Sequence, residues 1–185
     1  IQTTARIVEA RDPYTAGHQK HVADIANAIA MDMRLSEDQV RGVYFDGLIH
    51  DLGKIQVPAE ILSKPGVLTD PEYDLIKTHP QVGYDLLKTI DFPWPIAEMV
   101  YQHHERMDGS GYPNKLKGEQ IMLEARILVV ADVIEAISSH RPYRPALGFK
   151  AALREIKENK GLFYDERVVA SVERLKRKGF PFHFE

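Results

Sequence analysis

Residues 123–140 read as a helix that is apolar nearly all the way round: Ile127, Leu128, Val129, Val130, Ala131, Val133, Ile134, Ala136 and Ile137 fall within it. A helix without a polar face must be covered on all sides, which makes this the most buried helix of the chain. Asp132 sits in its middle. An ionised carboxylate in such a place costs several kcal/mol unless a cation or a strong set of donors meets it. The plain structural expectation is an ion pair with Arg126, on the same helix.

Other stretches offer a different partner for that carboxylate. Residues 48–58, LIHDLGKIQVP, set His50 beside Asp51 where an apolar run gives way to Gly53, which lets the backbone turn. An imidazole and a carboxylate side by side can ligate metal together, and the two oxygens of Asp51 can bridge ions about 3.5–4 Å apart, as in two-metal hydrolases. Lys54 lies one helical turn on and faces the same side. Taken alone, a His–Asp pair more often caps a helix end.

The chain supplies more residues of the same kind. Residues 2–11 read as a helix end that Asp12-Pro13 stops. From 17 to about 34, Val22, Ile25, Ala26, Ile29 and Met33 recur at helical spacing; His18 falls on that buried face and His21 on its flank. Ser36 and Gln39 form a capping box with a Leu35–Val40 staple, opening the helix that delivers His50-Asp51. Residues 55–68 hold two prolines and a glycine and read as a connector with at most one short helix. Thr69 and Glu72 repeat the capping-box spacing and open a helix through Thr78. His79 then precedes Pro80 at a break between helices. After 92–95 (FPWP), a helix leads through Ile96, Met99 and Val100 to His103-His104. Adjacent helical residues point about 100° apart, so both rings reach one ion only if it lies in the wedge between them. A two-glycine loop, 106–113, ends in Tyr112-Pro113, and Arg141 and Arg144 follow the Asp132 helix, bracketed by Pro142 and Pro145. Helices over about 148–158 and 165–178 form an amphipathic cover, and 180–185 is a short tail.

Composition narrows the chemistry. With 185 residues, 44% of them hydrophobic, the chain has the material for one domain with a real core. The net charge of −3 disfavours polymeric nucleic acid as a ligand, so an anionic substrate needs local cations. The absence of cysteine excludes disulfides, thiolate metal sites and thiol nucleophiles. No apolar run is long enough for a membrane span and no signal-peptide pattern opens the chain; a cytoplasmic setting is expected. Opening at Ile1, the sequence reads as a segment of a longer protein. His18, His50, Asp51, His79, His103, His104 and Asp132 each have a bland explanation, but one metal site accounts for all of them. Nitrogen and oxygen ligands without sulfur suit Fe or Mn better than a structural zinc.

At these residues the sequence resembles a known family. His18, His50-Asp51 and Asp132 follow the order of the HD metal-dependent phosphohydrolase superfamily. Residues 50–54 (HDLGK) and 103–113 (HHERMDGSGYP) resemble the HDxGK and HHExxDGxGYP signatures of its HD-GYP subgroup. The likeness runs over about 11–144. It implies an all-α fold, an HD-domain helical bundle with a dinuclear metal site in its core, spanning 1–185 as a single HD-GYP domain. HD-GYP proteins are bacterial phosphodiesterases that open cyclic di-GMP to pGpG and often GMP. The resemblance implies metal ligation by the seven residues above and substrate contacts by Lys54, Tyr112, Arg141 and Arg144. Two positions depart from the pattern. Tyr14 stands where some members carry a glutamate associated with a third metal, and His21 stands where arginine is common.

The chemistry expected from these parts is a phosphodiester hydrolysis. Asp51 bridges two divalent ions, Fe or Mn. His18, His50 and Asp132 complete one sphere, and His79, His103 and His104 the other. A water shared by the ions attacks phosphorus. Lys54 neutralises the phosphoryl oxygens, Arg141 and Arg144 grip the diester as guanidinium forks, and Tyr112 lines the lip against a guanine. The alternatives are a hydrolase of cyclic GMP-AMP or a dNTP, a di-iron oxygenase on the same fold, or a module that binds cyclic di-GMP or a GGDEF-domain partner without turnover. An upstream sensory or receiver domain is expected as the regulator.

Overall fold

The computed structural model describes residues 17–139 and 146–182, and the expected helix end at 2–11, Asp12, Tyr14, Arg141 and Arg144 lie outside them. The described residues are helical, with no strand among them. In chain order the α-helices are α1 (His18–Asp32), α2 (Glu37–Ile49), α3 (Ala59–Leu62), α4 (Asp70–Ile76), α5 (His79–Leu87), α6 (Ile96–Gln102), α7 (Leu123–Ser138), α8 (Phe149–Glu158) and α9 (Glu166–Arg177), with 3-10 turns at Leu52–Gln56 and Gly118–Gln120. None of these helices is long and apolar enough to cross a membrane.

Helix α7 is the axis. It packs on α1, α2, α6, α8 and α9, and residues 125–131 and Ile134 are buried in it. Its coverage on so many sides is what an all-round apolar sequence demands. Helix α1 turns Val22, Ile25, Ala26 and Ile29 into the same core. The start of α2 is fixed as the sequence requires: Gln39 N–H donates to Ser36 Oγ, and Ser36 N–H donates back to the Gln39 side chain. At α4, Thr69 N–H donates to Glu72 at 2.8 Å. Both boxes anchor helices whose far ends enter the polar cluster described below.

Two glycines bring elements into backbone contact. A Cβ on Gly47 would stand 2.6 Å from Ala23 Cα, so α1 and α2 touch there. A Cβ on Gly53 would stand 1.9 Å from the His79 carbonyl oxygen. Gly53 lies in the 3-10 turn, as expected, without a positive φ; its missing side chain permits this close approach to α5. That approach sets residues 51–54 against His79.

Two further expectations are corrected. Arg126 does not pair with Asp132: its guanidinium binds Glu119 and Asp165. It belongs to the opposite flank of α7, since positions six apart on a helix diverge by about 120°. The tail is not merely a tail, because Phe182 is buried and stacks on Phe149 with ring centroids 4.2 Å apart. An aromatic of that size contributes a large apolar area wherever a slot exists.

Candidate metal centre

The structure brings together His18 from the start of α1, His50 and Asp51 after α2, His79 from the start of α5, His103 and His104 after α6, and Asp132 from α7. Three sets of ligand atoms lie within 4.8 Å of one another: His79, His103 and His104; His18, His50 and Asp132; and His50, Asp51 and His103. His103 is the C-cap of α6, so its neighbour His104 leaves the helix and the two ring centroids lie 4.1 Å apart. The wedge problem of adjacent helical residues is resolved by ending the helix between them.

Asp51 is central. Its Oδ2 lies 3.5 Å from His50 Nε2 and 3.7 Å from His18 Nε2, and its Oδ1 lies 3.5 Å from His79 Nε2. One oxygen faces each histidine set. Ligand atoms sharing an ion at about 2.1 Å stand about 3–3.5 Å apart, so these separations suit ligation.

The ring tautomers follow from the backbone. His50 Nδ1 donates to Gly47 O at 2.9 Å, His79 Nδ1 to Ile76 O at 2.7 Å and His103 Nδ1 to Val100 O at 2.5 Å, each to the carbonyl three residues back. A carbonyl only accepts, so each Nδ1 carries the proton and each Nε2 presents a lone pair. Those lone pairs point inward. His79 Nε2 and His103 Nε2 stand 3.1 Å apart, and His50 Nε2 is buried with no hydrogen-bond partner. Two facing lone pairs and an orphaned third are unfavourable together and become favourable around a cation. The residues therefore fit divalent metal, held by imidazole nitrogens and carboxylate oxygens.

Electrostatics agree with that reading. Burial holds His79 down at about 3 and His104 at about 4, with neighbouring charge adding to the effect on His79 and partly opposing it on His104. Burial likewise lowers His50, and lowers His103 further. All four rings are neutral, as ligands must be. Burial works against ionising Asp51 and Asp132 too, but Lys54 and the histidines hold Asp51 well below the usual carboxylate range, and His18 does the same for Asp132. His18 is the exception: burial opposes its charge, yet Asp132 and Glu135 push it up to about 9.

Glu135 was missed by reading the sequence. It is buried, hydrogen-bonds His18 Nδ1 and accepts from Ser139 Oγ at 2.7 Å. It stands one turn after Asp132 in an otherwise apolar helix, which was the available signal. Glu105 was also missed as a contributor: it accepts from the backbone N–H groups of Asn114 and Leu116 at 2.7 and 3.0 Å and so fixes the loop that carries Tyr112.

Of the expected substrate contacts, Lys54 donates to Asp51 Oδ2 at 2.7 Å. Tyr112 stacks on His104, centroids 4.7 Å apart. His21, at the other departure from the pattern, has its Nδ1 3.8 Å from Glu135 Oε1, a supporting position beside His18.

The chain is similar to known proteins in sequence and in fold. The chain is 42% identical over 176 residues to the cyclic di-GMP phosphodiesterase response regulator RpfG of Xanthomonas campestris, covering 94% of this chain and 47% of that protein. It is 36% identical over 149 residues to the 3'3'-cGAMP-specific phosphodiesterase 1 of Vibrio cholerae, covering 80% and 35%. The chain thus spans less than half the length of these relatives. In fold it is similar to the crystal structure of a cyclic GMP-AMP specific phosphodiesterase of V. cholerae, with a TM-score of 0.70 at 20% identity, covering 95% of this chain and 48% of that one. Its residues 2–168 match the HD domain family, and the chain belongs to that family.

Proposed function

We propose that this chain is a metal-dependent phosphodiesterase that hydrolyses cyclic di-GMP to pGpG, GMP or both. The observation that carries the reading is Asp51, whose two oxygens face two separate histidine sets. His18, His50 and Asp132 would hold one divalent ion, His79, His103 and His104 would hold a second, and Asp51 would serve both. When bound, such ions polarise a phosphoryl oxygen and make water acidic near neutral pH.

The chain's own groups do the rest. Lys54, already at Asp51, neutralises phosphoryl oxygens that arrive beside that carboxylate. As a ligand, His18 would be neutral at Nε2, and Glu135 keeps its ring oriented through Nδ1. Tyr112, a phenol whose ionisation burial pushes up, stays neutral and covers the His104 side of the site against a guanine. Arg141 and Arg144 follow α7 and bind the diester. Two ions rather than three are expected, because Tyr14 supplies no anionic ligand for another cation.

The test is metal analysis of anaerobically purified protein together with chromatography of cyclic di-GMP digests. Two equivalents of Fe or Mn and formation of pGpG or GMP are expected; a fully metal-loaded chain that leaves cyclic di-GMP intact would refute the reading. The identity to a cGAMP-specific relative favours cyclic GMP-AMP as the second substrate to test, in the same digests.

A further inference from the structure

A cavity of about 630 Å³ lies between the 3-10 turn that carries Lys54 and the segment running from α3 to α4. Its size falls within the roughly 300–1,000 Å³ of small-ligand sites. Aliphatic side chains such as Ile61, Leu68 and Ile76 wall it with the aromatic Tyr73, and Lys54, Lys64 and Asp70 add charge.

Two of these wall residues are bonded directly to the candidate metal centre. Lys54 Nζ donates to Asp51 Oδ2 at 2.7 Å, and Ile76 O accepts from His79 Nδ1 at 2.7 Å. The cavity is therefore a side chamber of the centre, sharing its cation. A diester held at Asp51 and Lys54 would bring a nucleoside to the side on which Lys54 lines the chamber. Aliphatic walls with one aromatic suit a flat ring system; Tyr73 is 49% exposed, and Lys77 Nζ stands over its ring, 4.8 Å from the centroid.

We propose that this chamber receives one purine base of the cyclic dinucleotide, so that α3, α4 and the loop between them form a base subsite. The inference rests on the phosphodiesterase reading above.

The test uses the whole chain, metal-loaded, with Tyr73→Ala, which removes an exposed ring and spares the core, and Leu68→Trp, which fills the chamber. Cyclic di-GMP is compared with bis(p-nitrophenyl) phosphate, which has no purine. Each variant should lose about tenfold more in kcat/KM, mainly through KM, on cyclic di-GMP than on the aryl diester. A second readout is independent of turnover: cyclic di-GMP bearing an azide at C8 of guanine should, on irradiation, label residues 61–76. Equal losses on both substrates, or labelling elsewhere in the chain, would overturn the subsite while leaving the phosphodiesterase reading intact. Labelling at 61–76 without any cyclic di-GMP turnover would support the subsite and defeat the phosphodiesterase reading.

Discussion

Arg126 and His50 both sit in the interior, yet their surroundings are built in opposite ways. Every guanidinium nitrogen of Arg126 has an acceptor: Nε donates to Ile121 O at 2.8 Å, Nη1 to Asp165 at 2.9 Å and to Glu119 at 3.0 Å, and Nη2 to Glu119 at 2.9 Å. Asp165 in turn caps α9 through Arg167 N–H and binds the Arg167 side chain at 2.8 Å. Nothing in that network asks for another partner. Around His50 the count runs the other way, with lone pairs facing each other and one ring nitrogen orphaned. A satisfied polar cluster holds a fold together, whereas one left short of a cation is prepared to bind one.

The largest effect that could break this contrast is at Asp51. Asp51→Asn removes the one carboxylate facing both histidine sets, and turnover should fall by at least about 10³-fold with metal content reduced. Near-normal turnover with full metal would show that the cluster's geometry is incidental. The counterpart is Arg126→Met. It strands Asp165 in the interior with only Arg167 and its capped N–H, and should cost about 3 kcal/mol in denaturant unfolding, at the low end for a broken buried pair. Metal content per folded chain should not change. If Arg126→Met sheds metal as readily as Asp51→Asn does, the two clusters are not separate devices.

A smaller effect is expected at Glu135, on the edge of the metal cluster. Glu135→Gln keeps the shape but removes the anion from His18 Nδ1, and metal affinity should drop about 10–100-fold. Metal titration followed calorimetrically reads this without reference to turnover. Unchanged affinity would make Glu135 a structural partner only.

Local sequence carried much of this. The capping boxes at Ser36 and Thr69, the helical spacing of α1 and the apolar run of α7 are short-range signals, and they place the helices. His50-Asp51 and His103-His104 stood out because adjacent ligands at helix ends are unusual. What local sequence does not encode is which face of α7 meets which partner. Arg126 looked like the mate of Asp132 because they share a helix; its actual partners are Glu119, before the helix, and Asp165, 39 residues away. Phe182 was read as tail because nothing near it announces the slot beside Phe149. Glu135 lay outside the quoted signatures, and only the packing of α1 against α7 makes it a neighbour of His18. The chamber was not seen, since its walls were read separately, 55–68 as a connector and 69–78 as a helix, and a concavity between short helices has no periodic signature.

Asp46 tests whether burial without partners is enough to mark a site. It is fully buried on α2, neither carboxyl oxygen has a hydrogen-bond partner among the described residues, and it belongs to none of the ligand sets. Burial, and then the charge of Glu124, pushes its ionisation well above the ordinary 3.8. The folded chain therefore keeps a proton that the unfolded chain releases. Below about pH 4 both states are protonated and the group is neutral in its effect. As pH rises from there toward the folded value, the unfolded state gains by ionising, at about 1.4 kcal/mol per pH unit. Asp46→Asn cannot titrate, so its stability relative to the parent should be close to equal at pH 4 and higher by about 1.4 kcal/mol near pH 5, with the gap widening until Asp46 ionises in the folded state. Urea unfolding at three pH values measures this. A gap independent of pH would mean that Asp46 is ionised in the fold and has found a counter-charge, and it would then have to be counted with the satisfied clusters.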